Sequence, residues 1–199
     1  LGYMCNFDFA RCHEKVLSKL MTGMKPKMDT RLRLRMGLDG APVKRIYTGA
    51  TEDNYTDVPV ENIHCLNEIL ISRGPSPYPV DLELYIDGIH VTSMIGDGLI
   101  IATPNGSTAY NVSAGGSIVM DSCQCYCITP LAPHSLSFRP LIVPTTAKVT
   151  VKPSPESRIK AWVALDGATR FELDSNDAIQ IDAQQDSSIS MVTRQDDNL

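Results

Sequence analysis

Basic charge is what this sequence most plainly lacks. Eighteen Lys and Arg face 23 Asp and Glu, for a formal net charge of −5. A polynucleotide partner calls for a cationic surplus to neutralise phosphates, so nucleic-acid binding is disfavoured. A local basic pocket for a small anion stays compatible with that balance. Long apolar runs are missing as well: none approaches the ~20 residues that span a bilayer, and no membrane partner is expected. No basic stretch leads into an apolar core in the manner of a secretory leader. The chain opens LGYMCNF without an initiator Met, so a segment upstream is expected, and any targeting signal with it. Aromatics are sparse at 6%, and Trp162 is the single Trp. Zinc-type C-x₂₋₄-C pairs do not occur among the six cysteines, Cys5, Cys12, Cys65, Cys123, Cys125 and Cys127. The last three alternate in CQCYC, which places them on one face of a strand. They read as buried thiols of a cytoplasmic protein.

What is present is a globular composition, 43% apolar and 21% charged over 199 residues, enough for one large or two small domains. A helix is expected from about Asp8 to Met21, with Phe9, Cys12, Val16, Leu17, Leu20 and Met21 on one stripe. From Thr30 the period shortens. RLRLRMG alternates as a half-buried strand, Asp39-Gly40 offers a turn, and VKRIYTG follows as a second strand. TGATEDNYTDVPVEN reads as a surface loop, and IHCLNEILISRG as the next strand. DLELYIDGIHVTSMI is two alternating runs flanking Asp87-Gly88, the preferred pair for a tight hairpin. LIIAT, CYCITPL, AKVTVK, KAWVALDG, RFELD and AIQIDA complete the strands, with turns at Asp166-Gly167 and Ser175-Asn176. No internal repeat or low-complexity segment interrupts this mainly β pattern.

The chemistry concentrates in GDGLIIATPNGSTAYNVSAGG, Gly96 to Gly116. A short apolar strand runs into a loop of small hydroxyl-bearing residues with no strong nucleophile and no Lys. It is neither a Walker A loop nor a Rossmann GxGxxG. A helix is expected from Ser107 to about Met120, with Asn105 or Ser107 as N-cap and its amides open to polar ligand groups. Gly115 and Gly116 inside it would cost on the order of 2 kcal/mol together relative to Ala. Either a ligand lying on this turn or tight helix-to-sheet packing would offset that.

This run, with NEILISRGPS before it and ITPLAPHSLSFRPLIVP after it, closely resembles the NAD kinases, most strongly from about His64 to Pro144. These enzymes phosphorylate the 2′-hydroxyl of the adenosine ribose of NAD to form NADP. The resemblance implies an α+β, mainly β fold: residues 1–27 as the tail of an N-terminal α/β domain and 28–199 as a β-rich NAD-binding domain of sandwich type. It implies ATP and Mg²⁺ as co-substrate and metal, a homodimer or homotetramer, and cytoplasmic location. Asn67-Glu68 resembles the family's Asn-Glu pair, whose groups suit ribose hydroxyls. Thr108, Ala109 and Tyr110 match the segment that holds nucleoside parts, with Ser113 one turn on. Asn105 and Ser107 belong to the same binding loop; relatives more often carry Thr or Ser where Asn105 stands. Asp97 matches an aspartate that reaches the nicotinamide end, often from a neighbouring subunit. Asp166 resembles a further acid near the dinucleotide, or is a plain hairpin turn. The family's Gly-Gly-Asp-Gly motif does not occur in this sequence, so no catalytic residue is assigned within it and the chain by itself is expected to turn over little. Arg73, Arg139 and His134 are candidate charged partners, Arg139 beside a buried acid or, as the second reading, on a phosphate. The alternatives are a non-catalytic NAD(P)-binding or oligomerisation module, and a lipid kinase of the same broad superfamily. The phosphoryl donor, ATP or polyphosphate, and NAD-versus-NADH preference stay open.

Overall fold

The computed structural model describes Glu14, Ser18, Met21 and Thr22, and residues 27–39, 43–47, 55–135, 137–183 and 188–193. Among the described residues sixteen strands follow in chain order: β1 (Lys27–Arg31), β2 (Leu34–Asp39), β3 (Val43–Tyr47), β4 (Tyr55–Pro59), β5 (Ile63–Cys65), β6 (Glu68–Ser72), β7 (Val80–Ile86), β8 (Ile89–Gly96), β9 (Gly98–Ala102), β10 (Cys125–Leu131), β11 (Leu141–Pro144), β12 (Val149–Pro153), β13 (Ala161–Leu165), β14 (Thr169–Leu173), β15 (Ala178–Asp182) and β16 (Ile189–Thr193). The helical part between β9 and β10 is a 3₁₀ turn, Asn105–Thr108, and a four-residue helix α1, Tyr110–Ser113.

Two antiparallel sheets form the body. One has eight strands in the order β11-β10-β9-β6-β13-β14-β3-β4, the other six in the order β5-β2-β15-β12-β7-β8. Alternation drives their packing: β7 and β12 bury every second residue, as a sheet with one covered face must. The inward residues of both sheets, among them Leu34, Leu82 and Val151 on one side and Ile71, Ile101 and Phe171 on the other, form a single apolar cluster. Strand β9 departs from alternation and is buried at all five positions. Leu99 and Ile101 enter the sandwich core, while Ile100 and Ala102 face a second small cluster with Val119 and Cys127. The segment after β9 therefore lies over the outer face of the eight-stranded sheet. Strands β1 and β16 pair as a separate ribbon.

The β7–β8 hairpin forms as its sequence predicts, with φ of 51° at Asp87 and 79° at Gly88 and Ile86 opposite Ile89. Asp166 and Gly167, at φ 47° and 71°, turn β13 into β14. Several expectations change. RLRLRMG is broken between β1 and β2, which lie in different sheets, as do β2 and β3. The acidic stretch expected as loop contains β4, paired along its length with β3. IHCLNEILISRG is two strands in different sheets, β5 and β6, separated at Leu66-Asn67. Cys123 lies outside β10 and is exposed, while Cys127 is buried. Met21, expected on an apolar stripe, is 86% exposed. Glu14, Ser18 and Met21 are helical; the rest of the expected first helix, with Cys5 and Cys12, lies outside the described residues.

Tyr126 is fully buried in the sandwich, and its hydroxyl donates to the Ala147 carbonyl at 2.9 Å. Tyr126→Phe leaves that carbonyl without its donor. We expect a loss of about 1.5 kcal/mol and a fall in Tm of about 3–6 °C for a chain of this size, read by thermal denaturation.

Candidate functional site

Strands β6 and β9 run antiparallel, with Glu68 opposite Ala102 and Ser72 opposite Gly98. Beyond the Glu68–Ala102 end the two chains stay stitched together. The Thr103 N–H donates to the Asn67 carbonyl at 2.9 Å, and Thr103 Oγ1 donates to the Leu66 carbonyl at 2.6 Å. Asn105 then folds back, its Nδ2 donating to Asn67 Oδ1 at 2.8 Å. A side chain at Gly106 would place its Cβ 2.0 Å from the Asn67 carbonyl oxygen, so only Gly lets the turn come this close. The β13–β14 turn closes the third side. Asp166 Oδ1 accepts the backbone N–H groups of Asn67 at 2.8 Å and Glu68 at 3.1 Å, and Oδ2 accepts that of Leu66 at 2.8 Å. Its own N–H donates to the Glu68 carbonyl at 3.1 Å.

Asn67, Glu68, Asn105, Ser107, Thr108, Ala109, Tyr110 and Asp166 thus converge at one end of β6 and β9. Their postures differ. Asn105 and Ser107 are buried, whereas Tyr110 is 45% exposed, and Ser113 is exposed at the end of α1. Two buried acceptors in this cluster, Glu68 Oε2 and Asn105 Oδ1, meet no hydrogen-bond donor among the described residues. Burial pushes the Glu68 carboxyl above the usual range, the Asp166 charge adds to this, and the Tyr110 backbone N–H opposes it. Two neighbouring carboxyl groups make a poor seat for phosphate. A neutral donor, such as a pair of sugar hydroxyls, suits it. The Cys65 thiol nearby is driven upward by burial and then by Asp166 and Glu68, which holds it in the inert protonated form.

The expected helix from Ser107 to Met120 is replaced by something tighter. Neither Asn105 nor Ser107 caps it; the residue ahead of the 3₁₀ turn is Pro104 and that ahead of α1 is Ala109, with no side-chain cap. Open amides are few, since those of Gly106, Ser107 and Ala109 already donate to Thr103 Oγ1 and to the Pro104 and Gly106 carbonyls. The glycine pair ends the helix rather than interrupting it. Gly115 takes φ 82°, its N–H donates to Val112 at 3.1 Å, and the Gly116 N–H donates to Asn111 at 2.9 Å. These paired bonds are a Schellman closure. Ser107 Oγ accepts the Val119 N–H at 2.9 Å, pinning the chain on its way back.

Asp97 is not brought into this cluster. It precedes Gly98 at the other end of β9, about 17 Å from Ala102 at the usual strand rise. There Arg73 Nε donates to Asp97 Oδ1 at 2.8 Å, and Arg73 also reaches the Ser76 carbonyl. Arg139, expected beside a buried acid, is exposed, as is His134. Sequence reasoning placed Thr103 at the start of the turn but missed Asn111 and Thr129, whose buried hydrogen bonds help hold the loop; only their polarity within apolar surroundings marked them.

A family model described as the ATP-NAD kinase C-terminal domain matches residues 66–192. The chain is 43% identical over 186 residues to an NAD(+) kinase of Saccharomyces cerevisiae, an alignment covering 91% of this chain and 34% of that protein. It is 47% identical over 116 residues to a chloroplastic NAD kinase 2 of Arabidopsis thaliana, covering 58% of this chain and 12% of the relative. The fold is similar to a crystal structure of yeast NADH kinase complexed with NADH, at TM-score 0.79 and 33% identity, over 99% of this chain and 52% of that one. The fold alone is also like that of an NAD kinase from Archaeoglobus fulgidus in complex with ATP, at TM-score 0.66 and 24% identity, over 96% of this chain and 61% of that one. The chain spans about a third of the length of its yeast relative. With a family match running over more than half its residues and a mainly β architecture to go with it, this chain belongs to the ATP-NAD kinase C-terminal domain family.

Proposed function

We propose that this chain is the dinucleotide-holding part of an NAD kinase, which moves a phosphoryl group from ATP to the 2′-hydroxyl of the adenosine ribose of NAD and yields NADP. The observation that carries the reading is the pair of buried acceptors without donors, Glu68 Oε2 and Asn105 Oδ1, in a cluster whose backbone is fixed from three sides. Ribose hydroxyls supply such donors. Bound there, the sugar is held by Glu68 and Asn67 while Thr108, Ala109 and Tyr110 line the nucleoside, and Ser113 stands one turn beyond. Asp166 acts from behind, through the amides it holds. Holding the acceptor in one orientation is a large part of phosphoryl-transfer catalysis, which otherwise relies on charge neutralisation.

Residues 28–199 form the NAD-binding domain in this reading, and 1–27 the tail of a preceding α/β domain. The base and much of the phosphate handling fall to the family's Gly-Gly-Asp-Gly segment, which this sequence does not contain. Among the described residues no group of three or more His, Cys, Asp or Glu is set to hold a metal ion. In this reading Mg²⁺ accompanies the phosphates of ATP, where it neutralises charge. Asp97, far along β9 from the cradle, serves a dinucleotide held by a second subunit, so the assembly is at least a dimer. The thiols of Cys65, Cys123, Cys125 and Cys127 are free, in keeping with a reducing, cytoplasmic setting, and no helix among the described residues is long and apolar enough to cross a membrane.

Calorimetric titration of the chain with NAD, followed by incubation with NAD, ATP and Mg²⁺, tests this. Saturable NAD binding with little or no NADP is the expected result. Absence of NAD binding contradicts the reading. Binding by an Asn67→Ala, Glu68→Ala double variant at unchanged affinity removes the ribose assignment.

A further inference from the structure

The loop that carries Thr108 to Tyr110 is tied to its surroundings by a buried side chain that is not among the residues assigned to the ligand. Asn111 is completely buried. Its Nδ2 donates to the Ser107 carbonyl at 3.0 Å and to the Ser117 carbonyl at 3.0 Å. Its Oδ1 accepts from Thr129 Oγ1, on β10, at 2.6 Å. Its backbone carbonyl takes the Gly116 N–H at 2.9 Å. One carboxamide thus ties together the 3₁₀ turn, the returning segment at Ser117 and the sheet beneath. Both amide hydrogens and the amide oxygen are used, so the site discriminates by chemistry as well as size. A carboxylate would turn an acceptor toward two carbonyls, and an apolar residue would strand all three partners. A side chain at Gly116 has no room beside it, because its Cβ would lie 2.2 Å from Asn111 Oδ1. That contact gives Gly116 a packing reason within the loop itself.

We infer that Asn111 is a positioning residue of the dinucleotide cradle, preorganising the Ser107–Tyr110 turn against strand β10. The inference rests on the dinucleotide reading for its effect on affinity, but its structural part stands apart from it. A loop fixed before binding loses less freedom when the ligand arrives, so loosening it weakens affinity without removing a contact.

The test uses the 199-residue chain with Asn111→Asp, and with the milder Thr129→Val and its conservative counterpart Thr129→Ser. Amide hydrogen exchange is followed in segment 105–119 and, as a reference, in β7 and β12, alongside NAD affinity measured well below the transition temperature. Tyr126→Phe, a core change away from the cradle, is the control for a general loss of stability. We expect faster exchange confined to 105–119 in Asn111→Asp, NAD binding weakened about tenfold or more, a weaker effect in the same direction in Thr129→Val, and recovery in Thr129→Ser. Tyr126→Phe should leave NAD affinity unchanged. If Asn111→Asp does not fold, the Thr129 pair decides by the same readings. Exchange that rises equally in all segments, or stays as in the wild type, overturns the inference. Wild-type chain that fails to bind NAD overturns the ligand reading, and the exchange pattern then decides the positioning role alone.

Discussion

Gly106→Ala is expected to abolish NAD binding, weakening it by at least a hundredfold, and to cost the fold about 3 kcal/mol. The added Cβ would sit 2.0, 2.5 and 2.7 Å from the carbonyl oxygen, carbonyl carbon and Cα of Asn67. All three are backbone atoms, so no side chain can swing away to relieve the clash. Asn67 cannot retreat cheaply either. Its carbonyl accepts from Thr103, its amide donates to Asp166, and its side chain takes the Asn105 amide. Pushing it outward displaces Glu68, the next residue, together with the acceptor that the ribose is proposed to meet. A Tm lower by about 6–12 °C is expected, read by thermal denaturation, with affinity read by calorimetry. Gly37→Ala is the control, since nothing lies within 4 Å of a Cβ there. It should stay within about 0.5 kcal/mol of the wild type.

Glu68→Gln is expected to separate stability from binding. The Glu68 carboxyl is raised from its ordinary value of 4.5, first by burial, then by Asp166, against the Tyr110 N–H. The folded chain therefore takes up a proton at a higher pH than the unfolded chain does. By linkage, stability from this group grows as pH falls from neutral through the raised value and levels off below about 4.5. At neutral pH the ionised form is a net cost, of about 0.5 kcal/mol once solvent screening of this half-exposed group is allowed for. Gln removes the charge, so a Tm higher by about 1–2 °C is expected at pH 7. Binding moves the other way. A hydrogen bond to an ionised acceptor contributes about 1.5–3 kcal/mol, so NAD affinity should fall by roughly ten- to a hundredfold. Wild-type affinity should in turn decline on acidification, beginning above pH 4.5, and this decline should be missing in Glu68→Gln. A Gln variant that is both less stable and unchanged in affinity would count against the assignment of Glu68.

The pieces legible in the sequence were those fixed by neighbours in the chain. Asp87-Gly88 sets the β7–β8 turn by its own backbone preferences, and alternation sets the covered face of β7 and β12. What stayed hidden was fixed from far away. IHCLNEILISRG reads as one strand because nothing at Leu66-Asn67 breaks it locally. The break is made by Asp166, whose carboxylate gathers three amides from about a hundred residues earlier. The stretch from Ser107 to Met120 reads as a helix because small polar residues fit one, but Asn111 and the glycines after it turn the chain back within two turns. Arg139 between apolar residues suggested a buried pair, yet the loop after β10 leaves it exposed. The residues proposed to bind were named through family likeness; that Asp166 and Asn105 hold the backbone and side chain of Asn67 needed three dimensions.

The end of β6 and β9, with the turn that follows, is proposed to seat an adenosine sugar. A crystal structure of the chain with NAD bound tests it most directly. Ribose hydroxyls are expected within about 3 Å of Glu68 Oε2 and of the Asn67 side chain, with Asp166 still holding its three amides. Dinucleotide bound elsewhere, with Glu68 Oε2 left as it is, would contradict it.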